Sequence, residues 1–209
     1  SIINSKTRNE KIKNFLIDNK ITLISAITIL IAIVISFYSY QIYLDKKRVQ
    51  ISNKYNSAVI DYQNTNKSIT ASNLKDIIND KDSTYSPLAL YFIIDNKLID
   101  NKNEINSLFD ILIDQTPVET EIKNLIIYKK ALFNADQINE IELLNILNPL
   151  INSKSVWKSH ALYLVAEFFY NNGERQKSKD FFEKIVSLEN SNSDIITSAK
   201  RRLNRDLSE

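Results

Sequence analysis

The chain of 209 residues contains no cysteine, one histidine and one glycine. The lack of cysteine excludes disulfides, thiol nucleophiles and Cys-based zinc sites, and a single histidine excludes the usual His-paired metal ligands. One glycine excludes the GxxxxGK and GxGxxG phosphate loops and the GxSxG nucleophile elbow, because those turns need several residues without a Cβ. We therefore expect no catalytic residue, no metal and no cofactor. An enzyme, the alternative, would need a deep pocket of clustered acids with strongly shifted pKa values.

Charge is nearly balanced overall but unevenly distributed. There are 27 Lys and Arg against 25 Asp and Glu, a net charge of +2. Residues 1–20 hold five basic and two acidic residues, and residues 21–44 hold no charged residue. The remainder of the chain holds 22 basic and 23 acidic residues. A body so close to neutrality gives no electrostatic reason to expect nucleic-acid binding. Methionine is absent even at position 1, so we expect further residues before Ser1.

An uncharged run of 24 residues, Ile21–Leu44, lies between Lys20 and Asp45. As a helix it would extend about 36 Å, which is enough to cross a hydrocarbon core of about 30 Å with some tilt. Aromatic rings favour the membrane interface, and four stand near its C-terminal end: Phe37, Tyr38, Tyr40 and Tyr43. A cleavable signal peptide, the alternative, would have a shorter apolar core and a small-residue cleavage site. The run predicts a transmembrane helix over 21–44.

Basic residues flank this span on both sides. The excess of Lys and Arg that usually marks the cytoplasmic side therefore barely distinguishes the two possible orientations of the span. We expect the commoner layout, with the short basic segment 1–20 in the cytoplasm and the bulk of the chain translocated. The residues that follow the span can touch lipid phosphates on whichever side they emerge: Lys46, Lys47 and Arg48.

Beyond the span, apolar residues recur at helical spacing, and no stretch alternates like a strand between turn glycines. One face is shared by Ile51, Tyr55, Ala58, Val59 and Tyr62, which predicts that the membrane helix continues into the body. Helix starts are predicted at Ser86-Pro87, at Asn101 with Glu104, at the capping box Thr116-Pro117-Val118-Glu119, and at Ser191 with Asp194. The result is an all-α fold with helix pairs at 49–82, 85–115, 117–151 and 154–190, and a final helix at 192–207.

The pair at 154–190 resembles a tetratricopeptide repeat, whose period of about 34 residues is close to the spacing of the pairs. Gly173 falls at the turn between the two helices, where a left-handed C-cap is easiest without a side chain. Trp157 is expected to be a core anchor rather than a ligand contact. The resemblance implies these further core positions: Leu162, Val165, Ala166, Phe169, Ser178, Phe182 and Ile185. A generic helix hairpin with a glycine stop is the alternative, and in the second pair Asp100 or Asn101 replaces the turn glycine.

The whole layout is similar to the ancillary subunit of the bacterial SecYEG translocon, with matching segments at Ile12–Ile17 and Val156–Ala161. The resemblance implies a single-pass inner-membrane protein with a periplasmic repeat domain over 45–209. It also implies protein partners, namely translocon subunits, a periplasmic chaperone or emerging polypeptides, and no small-molecule substrate. A structural adaptor of another envelope complex, such as one coordinating cell division, is the alternative.

In a tetratricopeptide unit the first helix lines the concave groove, so the resemblance implies these groove residues: His160, Tyr163, Glu167, Tyr170 and Asn171. The alternative is that Tyr163 and Tyr170 pack against the terminal helix. His160, without a His or Cys partner, is expected to be an ordinary helix residue. The solvated side of the terminal helix is predicted to carry Lys200, Arg201, Arg202 and Arg205.

Overall fold

The computed structural model describes residues 2–63, 66–189 and 192–207, and every regular element in these ranges is helical. The all-α prediction is thereby confirmed. The α-helices in chain order are α1 Ile2–Asp18, α2 Lys20–Ile60, α3 Lys67–Asn79, α4 Tyr85–Asp95, α5 Lys102–Asp110, α6 Thr120–Asn134, α7 Glu140–Ile151, α8 Lys158–Asn171, α9 Arg175–Val186 and α10 Ser193–Asp206. A 3₁₀ turn, Asp61–Gln63, follows α2, and a π-helical segment, Ile111–Gln115, extends α5. The chain divides into two compact units, residues 1–50 and 51–209.

The first unit contains α1 and most of the 41 residues of α2. This part of α2 is long and apolar enough to cross a membrane, and none of its apolar window is buried by protein. The exposed fractions of Ile21 and Leu30 are 74% and 64%. Because α2 ends only at Ile60, the helix does continue past the apolar run, as the spacing of Ile51, Tyr55 and Ala58 predicted.

The second unit contains three apolar clusters along the chain. The first joins the C-terminal end of α2 with α3, α4, α5 and the π segment, through residues such as Ile51, Leu74, Leu90 and Phe109. The second joins α6, α7 and one face of α8, and the third joins α8, α9 and α10. By position in the chain the predicted helix pairs correspond to α2 with α3, α4 with α5, α6 with α7, and α8 with α9. Only the last two of these pack chiefly within the pair, because α3 packs mainly on α4.

Several buried polar groups of the second unit form hydrogen bonds through side chains. The Ser86 hydroxyl, which is fully buried, donates to the carbonyl of Ile77 at 2.8 Å. Asn106 on α5 and Asn134 on α6 exchange amide hydrogen bonds of 2.9 and 2.8 Å. Such bonds stabilise the packing because buried polar groups are costly when they are left unpaired.

One predicted helix start is confirmed and two are wrong. Asn101 caps α5 by accepting hydrogen bonds from the N–H groups of Asn103 and Glu104. Ser86-Pro87 does not begin α4, because Asp82 accepts from Thr84 and Tyr85 one turn earlier. Ser86 is instead inside the helix, and its hydroxyl donates to the Ile77 carbonyl.

The predicted capping box at Thr116–Glu119 is also wrong. The Thr116 hydroxyl donates back to the carbonyl of Ile111 at 3.1 Å, so it ends the π segment instead of starting a helix. Helix α6 begins at Thr120 with Glu119 as an N-cap that makes no side-chain bond. A capping box does occur at the start of α7, where Asn139 and Glu142 exchange side-chain-to-backbone bonds.

Helices α4 and α8 end in the same way, with a residue in the left-handed conformation. Gly173 has φ +79°, and the N–H groups of Gly173 and Glu174 donate to the carbonyls of Tyr170 and Phe169, which is a Schellman motif. Lys97, with φ +49°, takes the equivalent position after α4. The prediction that Asp100 or Asn101 replaces the glycine in this pair is therefore wrong, because the chain turns earlier and Asn101 is used as a cap.

The start of the last helix differs from the prediction by one residue. Ser191 lies outside the described residues. The side chain of Asn192 accepts hydrogen bonds from the N–H groups of Asp194 and Ile195, so Asn192 is the N-cap of α10.

Candidate protein-binding surface on helices α8 and α10

Helix α8 packs on two sides, which fixes what its remaining face presents. Ala161, Val165 and Phe169 belong to the cluster shared with α6 and α7. Leu162 and Ala166 belong to the cluster shared with α9 and α10. All five side chains are buried, and they follow the four-residue spacing of a helix face.

The next face of α8 carries Tyr163, Glu167 and Tyr170, all half-buried. The Tyr163 ring meets Phe182 edge-on, with ring centroids 5.3 Å apart. Burial and a hydrogen bond to Glu167 both raise the pKa of the Tyr163 phenol. The Tyr170 ring lies 4.1 Å from the centre of the Arg202 guanidinium, at cation–π distance.

Arg202 of α10 connects this face to the terminal helix. Its Nε donates to Glu167 Oε1 at 2.8 Å, and its other guanidinium nitrogens pair with Glu167 and Asp206. Burial alone would lower the pKa of Arg202, but the hydrogen bonds to Glu167 and Asp206 outweigh it and raise the pKa. Hydrogen bonds from Arg205 and then Arg202 lower the pKa of Asp206 to about 2. Arg202 and Asp206 are therefore ionised throughout the physiological range.

The prediction that Arg202 lies on the solvated side of α10 is wrong, since its side chain is only 16% exposed. Lys200, Arg201 and Arg205 are exposed as predicted. At about 100° per residue, Arg202 stands only about 60° around the helix from the buried Ala199, whereas Arg201 stands about 160° away.

The sequence left open whether Tyr163 and Tyr170 line a groove or pack against the terminal helix. In the structure both rings pack against the third cluster, to which the C-terminal part of the chain contributes Ala199 and Leu207. They are not sealed inside, because both rings keep part of their surface in solvent together with Glu167. We call this partly exposed set the α8–α10 surface and define it as Tyr163, Glu167, Tyr170 and Arg202.

His160 belongs to a different cluster from the α8–α10 surface. Its ring centroid is 5.0 Å from that of Trp157, which in turn stacks on Tyr128 at 5.8 Å. Burial lowers the pKa of His160, and the nearby backbone of Val156 acts in the opposite direction. Trp157 packs half-buried against the cluster of α6, α7 and α8. Asn171, at the C-terminal end of α8, is exposed.

The remaining predicted repeat positions lie on α9 or at its start. Phe182 and Ile185 are fully buried in the third cluster. Ser178 is fully buried too, and its hydroxyl has no hydrogen-bond partner within the described ranges. Gly173 is exposed at the turn, with nothing near the position that a Cβ would take.

The chemistry of the α8–α10 surface suits contact with another protein. Tyrosine rings offer large, rigid areas with a polar tip, and arginine and tyrosine are frequent at the centres of protein interfaces. Glu167 and Arg202 are already paired with each other, so a partner would meet oriented groups rather than free charges. Nowhere in 2–63, 66–189 and 192–207 do three His, Cys, Asp or Glu side chains come together as a metal site.

Sequence reasoning missed Arg202 and Asp206 as members of this arrangement. The available signal was their position around α10, because Asp206 falls between Ile195 and Ala199 when the helix is projected at about 100° per residue. Arg202 lies at the edge of the same apolar arc, and a charged pair in that position predicts a buried or half-buried ion pair rather than a solvated face.

Comparison with known proteins gives no match, since no protein-family model, curated protein or solved structure is similar to this chain. The interpretation of function therefore depends on the residues and their geometry.

Proposed function

We propose that this chain is a membrane-anchored protein–protein interaction module without enzymatic activity. The observation that carries the proposal is that one chain combines an apolar helical segment exposed along its whole apolar window with a folded helical unit bearing a partly exposed aromatic and charged surface. The helix would hold the module at a membrane, and the α8–α10 surface would contact a protein partner. Tethering raises the effective concentration of the module near that partner, so weak contacts suffice.

The apolar part of α2 supports the anchor. Its large aliphatic and aromatic side chains are exposed all around the helix, an arrangement that is unfavourable in water and favourable in lipid. We place this span in the inner membrane of a bacterium, with residues 1–20 in the cytoplasm and the second unit in the periplasm.

The packing order in the C-terminal part supports a tetratricopeptide-like solenoid. Helix α8 packs against α6 and α7, and α10 packs against α8 and α9. Helices α8 and α10 thus each contact both helices of the preceding pair, as neighbouring units of a repeat protein do when they stack. In this arrangement α10 is the capping helix.

We propose that the partners are translocon subunits, a periplasmic chaperone or polypeptides that emerge from the translocon. The supporting features are the span near the N-terminus, the helical unit that follows it and the resemblance of residues 12–17 and 156–161 to the translocon's ancillary subunit. Tyr163 and Tyr170 would supply ring surface to an extended or helical segment.

Site-specific photo-crosslinking in cells tests this proposal. Benzoyl-phenylalanine is introduced at Tyr163 or Tyr170 of the full chain, and at the exposed Glu183 of α9 as the matched control. We expect translocon, chaperone or nascent-chain products from the two tyrosine positions and few from the control. Products from a single other envelope assembly would favour the structural adaptor, and an identical pattern at Glu183 would contradict a role for the α8–α10 surface.

Topology is tested separately by a reporter fused after Glu209. A reporter that is active only in the cytoplasm would reverse the proposed orientation. A reporter that is active only after translocation agrees with the periplasmic placement.

A further inference from the structure

Helix α1 carries a short apolar face that no part of the described chain covers. Ile12, Phe15 and Leu16 are spaced as neighbours on one side of a helix, and they are 52%, 60% and 50% exposed. Asn14 stands on the opposite side of the helix and is also exposed. In water, three large apolar side chains on one face would remain without a partner.

Two lysines flank this apolar face, one on each side. At about 100° per residue, Lys11 and Lys13 each lie about 100° around the helix from Ile12. Both side chains are exposed. An apolar face with a lysine along each edge is the pattern of a helix that lies in a membrane surface, because the long stems reach up to the phosphates while the apolar face enters the acyl boundary.

A single residue, Asn19, separates α1 from α2 just before the apolar run begins. Its backbone N–H and its side-chain amide both donate to the carbonyl of Phe15, at 3.1 and 3.0 Å. An asparagine side chain that competes for a helix carbonyl offers the backbone an alternative to the regular helical bond. Asn19 is therefore the residue at which a change of direction between α1 and the span is easiest.

We propose that α1 lies in the plane of the membrane on an anionic phospholipid surface, with Ile12, Phe15 and Leu16 in the acyl boundary and Lys11 and Lys13 at the phosphates. This inference rests on the anchor in the proposed function. A lipid surface is the occupant because the apolar face adjoins the span directly in sequence, and because residues 1–20 carry five basic and two acidic residues. Anionic lipids attract such juxtamembrane basic segments.

The distance between Ile12 and the span distinguishes an in-plane α1 from an α1 that extends α2 in a straight line. Ile12 precedes Ile21 by nine residues, which corresponds to about 14 Å along a helix. The headgroup layer on each side of a bilayer is only about 5–8 Å thick. A straight, upright extension would therefore put Ile12 in water, whereas the in-plane helix puts it in lipid.

Spin labels on single cysteines test this in the full chain, whose native sequence contains no cysteine to remove. The variants are Ile12→Cys, its matched control Asn14→Cys on the opposite face, and Leu30→Cys in the middle of the span. Each is reconstituted into vesicles of phosphatidylcholine mixed with phosphatidylglycerol. The accessibility of each label to oxygen, which enters lipid, is compared with its accessibility to a polar nickel complex, which stays in water.

We expect the labels at 12 and 30 to favour oxygen and the label at 14 to favour nickel. If the label at 30 is in lipid but the label at 12 behaves like that at 14, the in-plane helix is wrong and the anchor stands. If the label at 30 is itself in water, the anchor and hence the proposed function fail.

The choice of anionic lipid is tested with the same Ile12→Cys protein. Each lysine near an anionic surface contributes about a fivefold preference for it. We therefore expect the label at 12 to move toward water in pure phosphatidylcholine and in the variant Lys11→Glu/Lys13→Glu. Equal immersion in both lipid mixtures would overturn the role of the anionic headgroups.

Discussion

The Nε of Arg202 donates to Glu167 Oε1 at 2.8 Å, joining residues that are 35 positions apart in the chain. The same guanidinium lies 4.1 Å from the ring of Tyr170 and pairs with Asp206 on its own helix. One side chain thus connects the terminal helix to the face of α8 through one carboxylate and one ring. The position of α10 on α8 depends on this group as well as on the apolar residues beneath it.

Replacing Arg202 should destabilise the second unit. We expect Arg202→Ala to lower the free energy of unfolding by about 1–2 kcal/mol, because Glu167 loses charge-assisted hydrogen bonds in a half-buried setting that solvent partly screens. Arg202→Lys should lose about half as much, since an ammonium keeps the charge but cannot bond both carboxylates in one plane. Urea unfolding of the full chain in detergent, followed by the fluorescence of Trp157, measures both.

Arg201→Ala is the matched control for that experiment. Arg201 is the neighbouring arginine, is exposed, and should change the free energy of unfolding by less than about 0.5 kcal/mol. Equal losses for Arg201→Ala and Arg202→Ala would mean that the ion pair with Glu167 does not stabilise the fold.

Mild acid should destabilise the packing around His160. Because burial lowers its pKa below 6.5, the folded chain binds the proton less readily than the unfolded chain does. The contribution of His160 is therefore complete above about pH 6.5, decreases as the pH falls below that value, and levels off beneath the folded-state pKa. Unfolding measurements between pH 7.5 and 5.5 should show this loss, and His160→Asn should remove it. An unchanged slope in the variant would assign the pH dependence to other groups.

Much of the helical architecture could be predicted because its signals are local. Gly173 predicts a left-handed turn by its residue type alone. Asn101 and Glu104 predict a helix N-cap from a stretch of only four residues. The helical spacing of apolar residues likewise predicts most of the helices. These features depend on neighbours in sequence, which a single chain displays directly.

The partners across the fold could not be predicted in the same way. Periodicity shows that Glu167 and Arg202 belong to helices, but not that these two side chains meet. Ser86 beside a proline has the pattern of a cap, yet its hydroxyl bonds to the carbonyl of Ile77 on another helix. In both cases tertiary packing decides what the polar group does, and it overrides the local pattern.

Two buried serines should respond oppositely to removal of the hydroxyl. We expect Ser86→Ala to lower the free energy of unfolding by about 1–2 kcal/mol, because the buried carbonyl of Ile77 then loses its side-chain donor. Ser178→Ala should be neutral or slightly stabilising, within about 0.5 kcal/mol, because the hydroxyl of Ser178 has no partner in the described part of the chain. Similar losses at both positions, measured by urea unfolding, would contradict the assignment of the Ser86 bond.

The turns after α4 and α8 should also respond oppositely to exchange of glycine. Gly173→Ala should lower the free energy of unfolding by about 1 kcal/mol, since φ +79° is unfavourable for a residue with a Cβ even where space is open. Lys97→Gly should raise it by about 0.5 kcal/mol, because Lys97 holds a left-handed φ of +49° and glycine removes that strain while adding unfolded-state entropy. Lys97 is exposed, so little packing is lost. Thermal and urea unfolding of both variants and of the native chain measure these changes in the free energy of unfolding. If Lys97→Gly is destabilised, the Lys97 side chain stabilises the fold by more than its left-handed backbone destabilises it.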